Sequence, residues 1–135
     1  MASVPLSVAF ATGQVYTAAN VNTTNQAVND LGNLALNAQT GATYTLVLAD
    51  QTKIVEMNNA SANTLTVPPN SSVAYPIGTQ IIVLQTGAGQ TSIAAGAGVT
   101  INSASAKLKL TGQWSAATLI KRATNTWVLV GDIAA

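Results

Sequence analysis

The groups able to do chemistry are few. Four carboxylates (Asp30, Asp50, Glu56 and Asp132) stand against five cations (Lys53, Lys107, Lys109, Lys121 and Arg122), with no histidine and no cysteine. Glycoside hydrolysis needs two carboxyl groups roughly 5–9.5 Å apart across a cleft. Only Asp50 and Glu56 lie near each other in the chain, across an expected hairpin. There Asp50 reads as a turn former and Glu56 as an ion-pair partner for Lys53 or Lys121. A serine nucleophile has no histidine to activate it, and no lysine is paired with a serine in a recognisable motif. Without cysteine there is no thiol chemistry, no disulfide and no metal thiolate, and without histidine the commonest neutral-pH acid–base group and metal ligand is missing. The glycine-rich run from Gly87 to Thr100 lacks the Gly-Lys-Ser/Thr ending and the following helix of a phosphate loop. The sequence therefore reads as a non-enzyme with no cofactor and no metal site.

Recognition is the remaining chemistry. Glycan sites set an aromatic platform beside amides and hydroxyls. Trp114, just after a Gly112-Gln113 turn, and Tyr75 are the candidate glycan or partner contacts, with Tyr16 and Tyr44 as further aromatics and Asn58, Asn59, Asn63 and Gln113 as polar neighbours. Trp127 lies in an apolar strand and reads as core, while Lys121-Arg122 reads as the wet side of a strand. A net charge of +1 is too small to hold nucleic acid, which needs several phosphates neutralised. Charged residues make up 7% of the chain, against about 25% in typical soluble domains, and none occurs between Met57 and Ala106. Such a surface is poorly protected against association, so much of it is expected to lie against partner subunits. No apolar window reaches the length of a membrane span, so no membrane insertion is expected. The N-terminus has no positive stretch and is interrupted by Pro5, which argues against a signal peptide.

The elements that must position these groups follow from periodicity. At 135 residues the chain has room for one domain and an arm. Residues 1–19 read as an extended arm whose Leu6, Val8 and Phe10 alternate with small residues and could dock onto another subunit. Residues 20–40 read as a helix, with Asn20, Thr23 or Thr24 as its cap. Val21, Thr24, Val28, Leu31, Ala35 and Ala38 are spaced alternately three and four apart, the seam of a coiled coil, and Leu34 widens it. Gly32 costs about 1 kcal/mol relative to alanine, so this helix must pack on something. An oligomer interface is expected at Val21, Val28, Leu31, Leu34 and Ala35. Thr40-Gly41 closes the helix.

Residues 41–135 read as β structure. Tyr44 to Ala49, Lys53 to Asn58 and Asn63 to Val67 alternate with period two. Pro68-Pro69 stops the third run, and Val73 to Tyr75 suggest a short edge strand. Thr79 to Gln85 contains the continuous apolar run Ile81 to Leu84, as expected of a strand covered on both faces. Gly87, Gly89, Gly96 and Gly98 suggest turns with positive φ around Thr91 to Ala95. Further runs carry Val99 and Ile101, then Leu108 and Leu110. Ala117 to Lys121 and Trp127 to Val130 form a closing hairpin, with Ala117, Leu119 and Lys121 on one face. The expected fold is all-β: a small antiparallel β-sandwich or barrel preceded by an extended arm and one short helix.

Three segments carry a family resemblance: TKIVEMNNASANTLTVPPNS, YPIGTQIIVLQTGAGQTSIAAGAGVTINS and KLKLTGQWSAATLIKRATNTWVLVGD. Together, over about residues 44–132, they resemble a small β module of tail, fibre and other virion structural proteins of tailed bacteriophages. The resemblance implies a virion protein acting as a homotrimer, made in the host cytoplasm. A short chain with an arm, a helix and a β knob is expected to be a capsid decoration protein, of the cement or head-fibre kind. Its partners would be copies of itself and the major capsid protein or another virion protein. The alternative it implies is a tail-fibre or head-fibre receptor-binding protein that recognises host surface glycans.

Overall fold

The computed structural model describes residues 33–135. The expected arm with Leu6, Val8 and Phe10, and the greater part of the expected helix with Val21, Val28 and Leu31, lie outside the described residues.

The described chain is mostly β. Eleven strands are β1 (Ala35–Gln39), β2 (Thr43–Thr45), β3 (Lys53–Met57), β4 (Asn63–Val67), β5 (Gln80–Gln85), β6 (Thr91–Ala95), β7 (Thr100–Ser103), β8 (Lys109–Leu110), β9 (Ala116–Ala123), β10 (Thr126–Gly131) and β11 (Ile133–Ala134). They form two mixed sheets. The larger runs in the order β1-β3-β5-β9-β10-β7 and the smaller in the order β11-β8-β6-β4-β2.

The all-antiparallel expectation is corrected here. β1, β3 and β5 are parallel neighbours in the larger sheet, and β2, β4 and β6 are parallel neighbours in the smaller one. Each connection from β1 to β6 carries the chain to the other sheet instead of folding it back as a hairpin. Neighbours within a sheet are thus one full coil apart and run the same way, whereas a two-residue hairpin can only join antiparallel strands. Antiparallel pairing begins at β9, which lies against both β5 and β10.

The second and third coils stack without a slip. Ile54 faces Ile82, Met57 faces Gln85, Asn63 faces Thr91 and Val67 faces Ala95, a constant separation of 28 residues. Where these coils turn together the backbones nearly touch. A Cβ on Gly89 would overlap the Ser61 carbonyl group, and one on Gly87 would overlap the backbone of Asn59. These two glycines serve close approach, not the positive φ expected of them; in that run only Gly98 (φ +75) has it. Buried amides tie the corner. Thr91 Oγ1 donates to Asn63 Oδ1 at 2.6 Å, Asn63 Nδ2 to Gly89 O at 3.2 Å and Gln85 Nε2 to Gly87 O at 3.1 Å.

The expected helix is corrected at its C-terminal end. Ala35–Gln39 form β1, paired residue for residue with Lys53–Met57. As a strand this segment gains a ladder of backbone hydrogen bonds and turns Asn37 and Gln39 inward, where Asn37 Nδ2 reaches Asp50 Oδ1 at 2.7 Å and Gln39 Nε2 reaches Asn37 Oδ1 at 2.7 Å. Ala35 and Ala38 fitted the heptad only because alanine suits almost any element. Two other runs also differ: only Thr43–Thr45 pairs as β2 before a 3-10 turn at Leu48–Asp50, and Val73 to Pro76 belong to no strand.

One core joins the sheets. Val55, Met57, Ile81, Val83, Leu119, Trp127 and Leu129 from the larger sheet meet Leu65, Val67, Ile93 and Leu110 from the smaller. At about 25 cal/mol per Å² of apolar surface buried, this interior is the main stabilising contribution.

Candidate interaction surface

Alternation in the larger sheet commits one set of side chains inward and exposes the other. With Val55, Ile81, Val83, Leu119, Trp127 and Leu129 in the core, period two turns Ile54, Ile82, Leu84, Thr118, Ile120, Val128 and Val130 outward. Register lines several into one row, Leu36–Ile54–Ile82–Thr118–Val130, crossing five strands. Ala38–Glu56–Leu84–Ala116 make the adjoining row. Leu36 is 63% exposed, Val130 is exposed, and the row between them is half-buried. Glu56 is the only charged side chain in these two rows.

At the border of this face lies an open depression of about 290 Å³, lined by Leu34, Gln51, Thr52, Gly78, Thr79, Gln80 and Ile82. Leu34 is 41% exposed and the adjacent Ile77 is 67% exposed. Of the expected oligomer seam, the described residues thus retain Leu34 and Ala35, at and beside the start of an edge strand. From sequence only the Ile81–Leu84 strand was expected to be covered on both faces, and there Ile82 and Leu84 are half-buried; the apolar outer face as a whole was not singled out. Its signal was present in IIVL, TLI and WVLV, where both parities of the strand are apolar.

The expected glycan contacts separate. Trp114 is 70% exposed at a left-handed backbone position, φ 69, a conformation that costs a non-glycine residue roughly 1–2 kcal/mol. Its N–H donates to Gln85 O at 2.7 Å, and Gln113 Nε2 donates to Thr86 O at 3.0 Å, which fixes the turn. Tyr75 is corrected: it is buried, its ring packs edge-on against Trp127 with centroids 5.5 Å apart, and its hydroxyl donates to Val47 O. Burial, with the negative Asp50 second, raises its hydroxyl pKa above the ordinary value. A side chain so placed has no surface to offer a glycan.

Lys121 also differs from expectation. It is 2% exposed, because period two from Ala117 and Leu119 carries it onto the core side. Its ammonium donates to Asn70 Oδ1 at 2.6 Å and Tyr75 O at 2.7 Å, and lies 6.0 Å from the Trp127 ring centre. Burial lowers its pKa. The group is a clamp between β9 and the 70–79 connection.

Asp50 and Glu56 do not make a catalytic pair. Asp50 is fully buried and accepts from Asn37 Nδ2 at 2.7 Å, Tyr44 OH at 2.7 Å and Val47 N–H at 2.9 Å. Burial and that bond to Asp50 push the Tyr44 hydroxyl up to about 12. Glu56 instead faces outward between Ala38 and Leu84. Among the described residues no three His, Cys, Asp or Glu side chains gather where they could hold a metal ion.

No protein-family model matches this chain, and no curated protein matches it. The described surface presents a mainly apolar sheet face bordered by a shallow depression, and one exposed indole held on a fixed turn.

Proposed function

We propose that this chain is a structural protein of a tailed-bacteriophage virion, a homotrimeric capsid decoration protein of the cement or head-fibre kind. The segment before β1 joins copies and grips the particle. The reading is supported by the motif resemblance over residues 44–132 and by the mainly apolar sheet face, whose two rows carry Glu56 alone as a charge and which suits permanent contact better than passing solvent exposure. Binding to the assembled particle alone would stabilise it by mass action. The observation that carries the proposal is that outward row from Leu36 to Val130, a mainly apolar strip crossing five strands.

The test is attachment. Particles of the phage that carries the gene are purified, and the protein is located on them by electron microscopy. Full-length protein with Leu6, Val8 and Phe10 all changed to serine is then offered to particles lacking it. The expected result is capsid-surface density for the wild type and loss of binding by the triple variant. Equal binding by both would overturn the arm's role, and a particle without the protein would overturn the whole reading.

Trp114 favours a second reading. An indole held exposed at a strained backbone position suits a tail-fibre or head-fibre receptor-binding protein that stacks host surface sugars. In that case W114A abolishes binding to host cells while leaving particle attachment intact.

A further inference from the structure

We infer that the row of turns at one end of the coils, from Thr40 to Trp114, is a binding site for an uncharged saccharide, with the Trp114 indole as its stacking platform. The inference rests on the second reading above and gives that site its extent and the class of sugar it takes.

The backbone builds the row. Trp114 N–H donates to Gln85 O at 2.7 Å, the N–H groups of Thr86 and Gly87 donate to Met57 O at 3.0 and 3.2 Å, and Asn58 N–H donates to Gln39 O at 2.8 Å. The turns that follow β1, β3 and β5 and the one that precedes β9 therefore lie side by side, about 4.8 Å apart. Two surface amides cross the gaps: Gln113 Nε2 donates to Thr86 O at 3.0 Å and Asn59 Nδ2 to Thr40 O at 2.9 Å. Each of these bonds uses one amide hydrogen and fixes the group, leaving the second hydrogen for a ligand. Trp114 and Asn59 stand two turns apart, roughly 10 Å, so a chain of sugars that begins on the indole can run along the row to the second amide.

Backbone strain singles out Trp114. Glycine takes a left-handed turn position at no steric cost, yet here that position carries an indole, 70% exposed at φ 69. The fold gains little burial from it, and strain of this kind collects at ligand-binding positions. The surroundings choose the ligand. A protein hot spot sets its tryptophan in a well-packed, desolvated pocket, whereas the turns beside this one offer amides, hydroxyls and the small Ala60, Ala62 and Ala88. None of the four turns holds a charged residue. Asp132 borders the last of them, its O accepting from Thr111 N–H at 3.3 Å. With no cation in the row and a carboxylate at its border, an uncharged sugar is favoured over a uronic, sialic or phosphorylated one.

The experiment offers the full chain to an array of bacterial surface oligosaccharides, neutral members beside members bearing uronic acid, sialic acid or phosphate. The retained sugars are then titrated against tryptophan emission. Trp127 is 1% exposed, so acrylamide quenching reports on Trp114. Retention of neutral members is expected, with Trp114 shielded from acrylamide by the bound sugar. W114A should weaken binding by about tenfold or more and Q113A by about threefold, while W114F keeps most of it. W114G should also lose binding, yet melt no more than about 3 °C below the wild type, because glycine relieves the strain. A W114G protein that melts far lower would show that the indole holds the turn, and would overturn the inference. Retention of acidic members alone, still dependent on Trp114, overturns the uncharged class and leaves the second reading standing. Retention of no member, or retention that W114A leaves unchanged, overturns both.

Discussion

Changing Gly89 to alanine tests whether two coils meet backbone to backbone at the Asn58–Asn63 corner. The added Cβ would overlap the Ser61 carbonyl and stand 2.8 Å from the Ser61 nitrogen, where ordinary carbon contacts begin near 3.5 Å. All of these are main-chain atoms, so no side chain can swing aside. The turns must part by roughly 1 Å or more. That motion breaks the Gly89 N–H bond to Asn59 O (2.9 Å) and the Asn63 amide bond to Gly89 O (3.2 Å). Each buried polar group left without a partner costs about 1–3 kcal/mol, and forced overpacking adds about 1–3 more. A loss of about 3–5 kcal/mol is expected. In a domain of this size that corresponds to a Tm lower by roughly 15–25 °C. Urea titration with circular dichroism should show a lower midpoint and an unchanged slope. Gly112→Ala is the control, since nothing lies within 4 Å of a Cβ there, and its stability should move by less than about 1 kcal/mol. A Gly89→Ala protein that melts within about 3 °C of the wild type would refute the stacked-coil account.

Two more perturbations probe the buried polar groups. Because Tyr44 holds its proton to about 12 in the folded chain and an unfolded tyrosine ionises near 10, its contribution is complete below pH 10 and is lost as pH rises toward 12. Tyr75 adds to this loss, while Lys121, with its lowered value, acts oppositely in the window just below pH 10.5. Denaturant midpoints from pH 9 to 12 should therefore fall, and less steeply in Tyr44→Phe; an identical slope in that variant would contradict the assignment. Changing Lys121 to methionine keeps apolar volume but leaves Asn70 Oδ1 and Tyr75 O without their donor. It should cost about 2 kcal/mol and redden the Trp127 emission as the 70–79 connection loosens; unchanged stability and emission would show that the ammonium is not a clamp.

Individual strands were legible because alternation is local. Asn63–Val67, Thr91–Ala95 and the hairpin around Thr124-Asn125 needed only their own residues to be read. Direction within the sheets was not, since it depends on where the chain goes between strands. The information was present as the repeat that sets Ile54 on Ile82 and Val67 on Ala95, but glycines at positions 87 and 89 against asparagine and serine at 59 and 61 hide it. Small residues on one coil answer larger ones on the next, so the coils fit by being unlike. Lys121 misled for a related reason. Its position in the strand placed it inward with Ala117 and Leu119, and its charge argued outward; Asn70 and Tyr75, about 50 residues away in the chain, decide the matter. Of the candidate contacts, Trp114 lies at the surface and Tyr75 does not, a distinction set by a connection that has no period to read.

The first coil differs in kind from the two that follow, and the difference bears on what the domain can join. Stacked coils have nothing in their geometry to stop them from accepting another. Here β3–β4 and β5–β6 enclose aliphatic side chains, whereas the interior beside β1 and β2 holds, next to the buried Leu46, Asn37, Gln39, Tyr44 and Asp50 hydrogen-bonded to one another. A further coil stacked there would have to cover amides and a carboxylate already bonded among themselves, with no apolar gain to offset their desolvation. β2, at three residues, is also too short to template a new strand well. Growth along the coil axis is thereby discouraged, and the apolar strip from Leu36 to Val130 lies to the side of that axis. Among the described residues, then, the polar groups beside β1 and β2 oppose stacking coil upon coil, and the apolar strip is the flank that the proposed function would use.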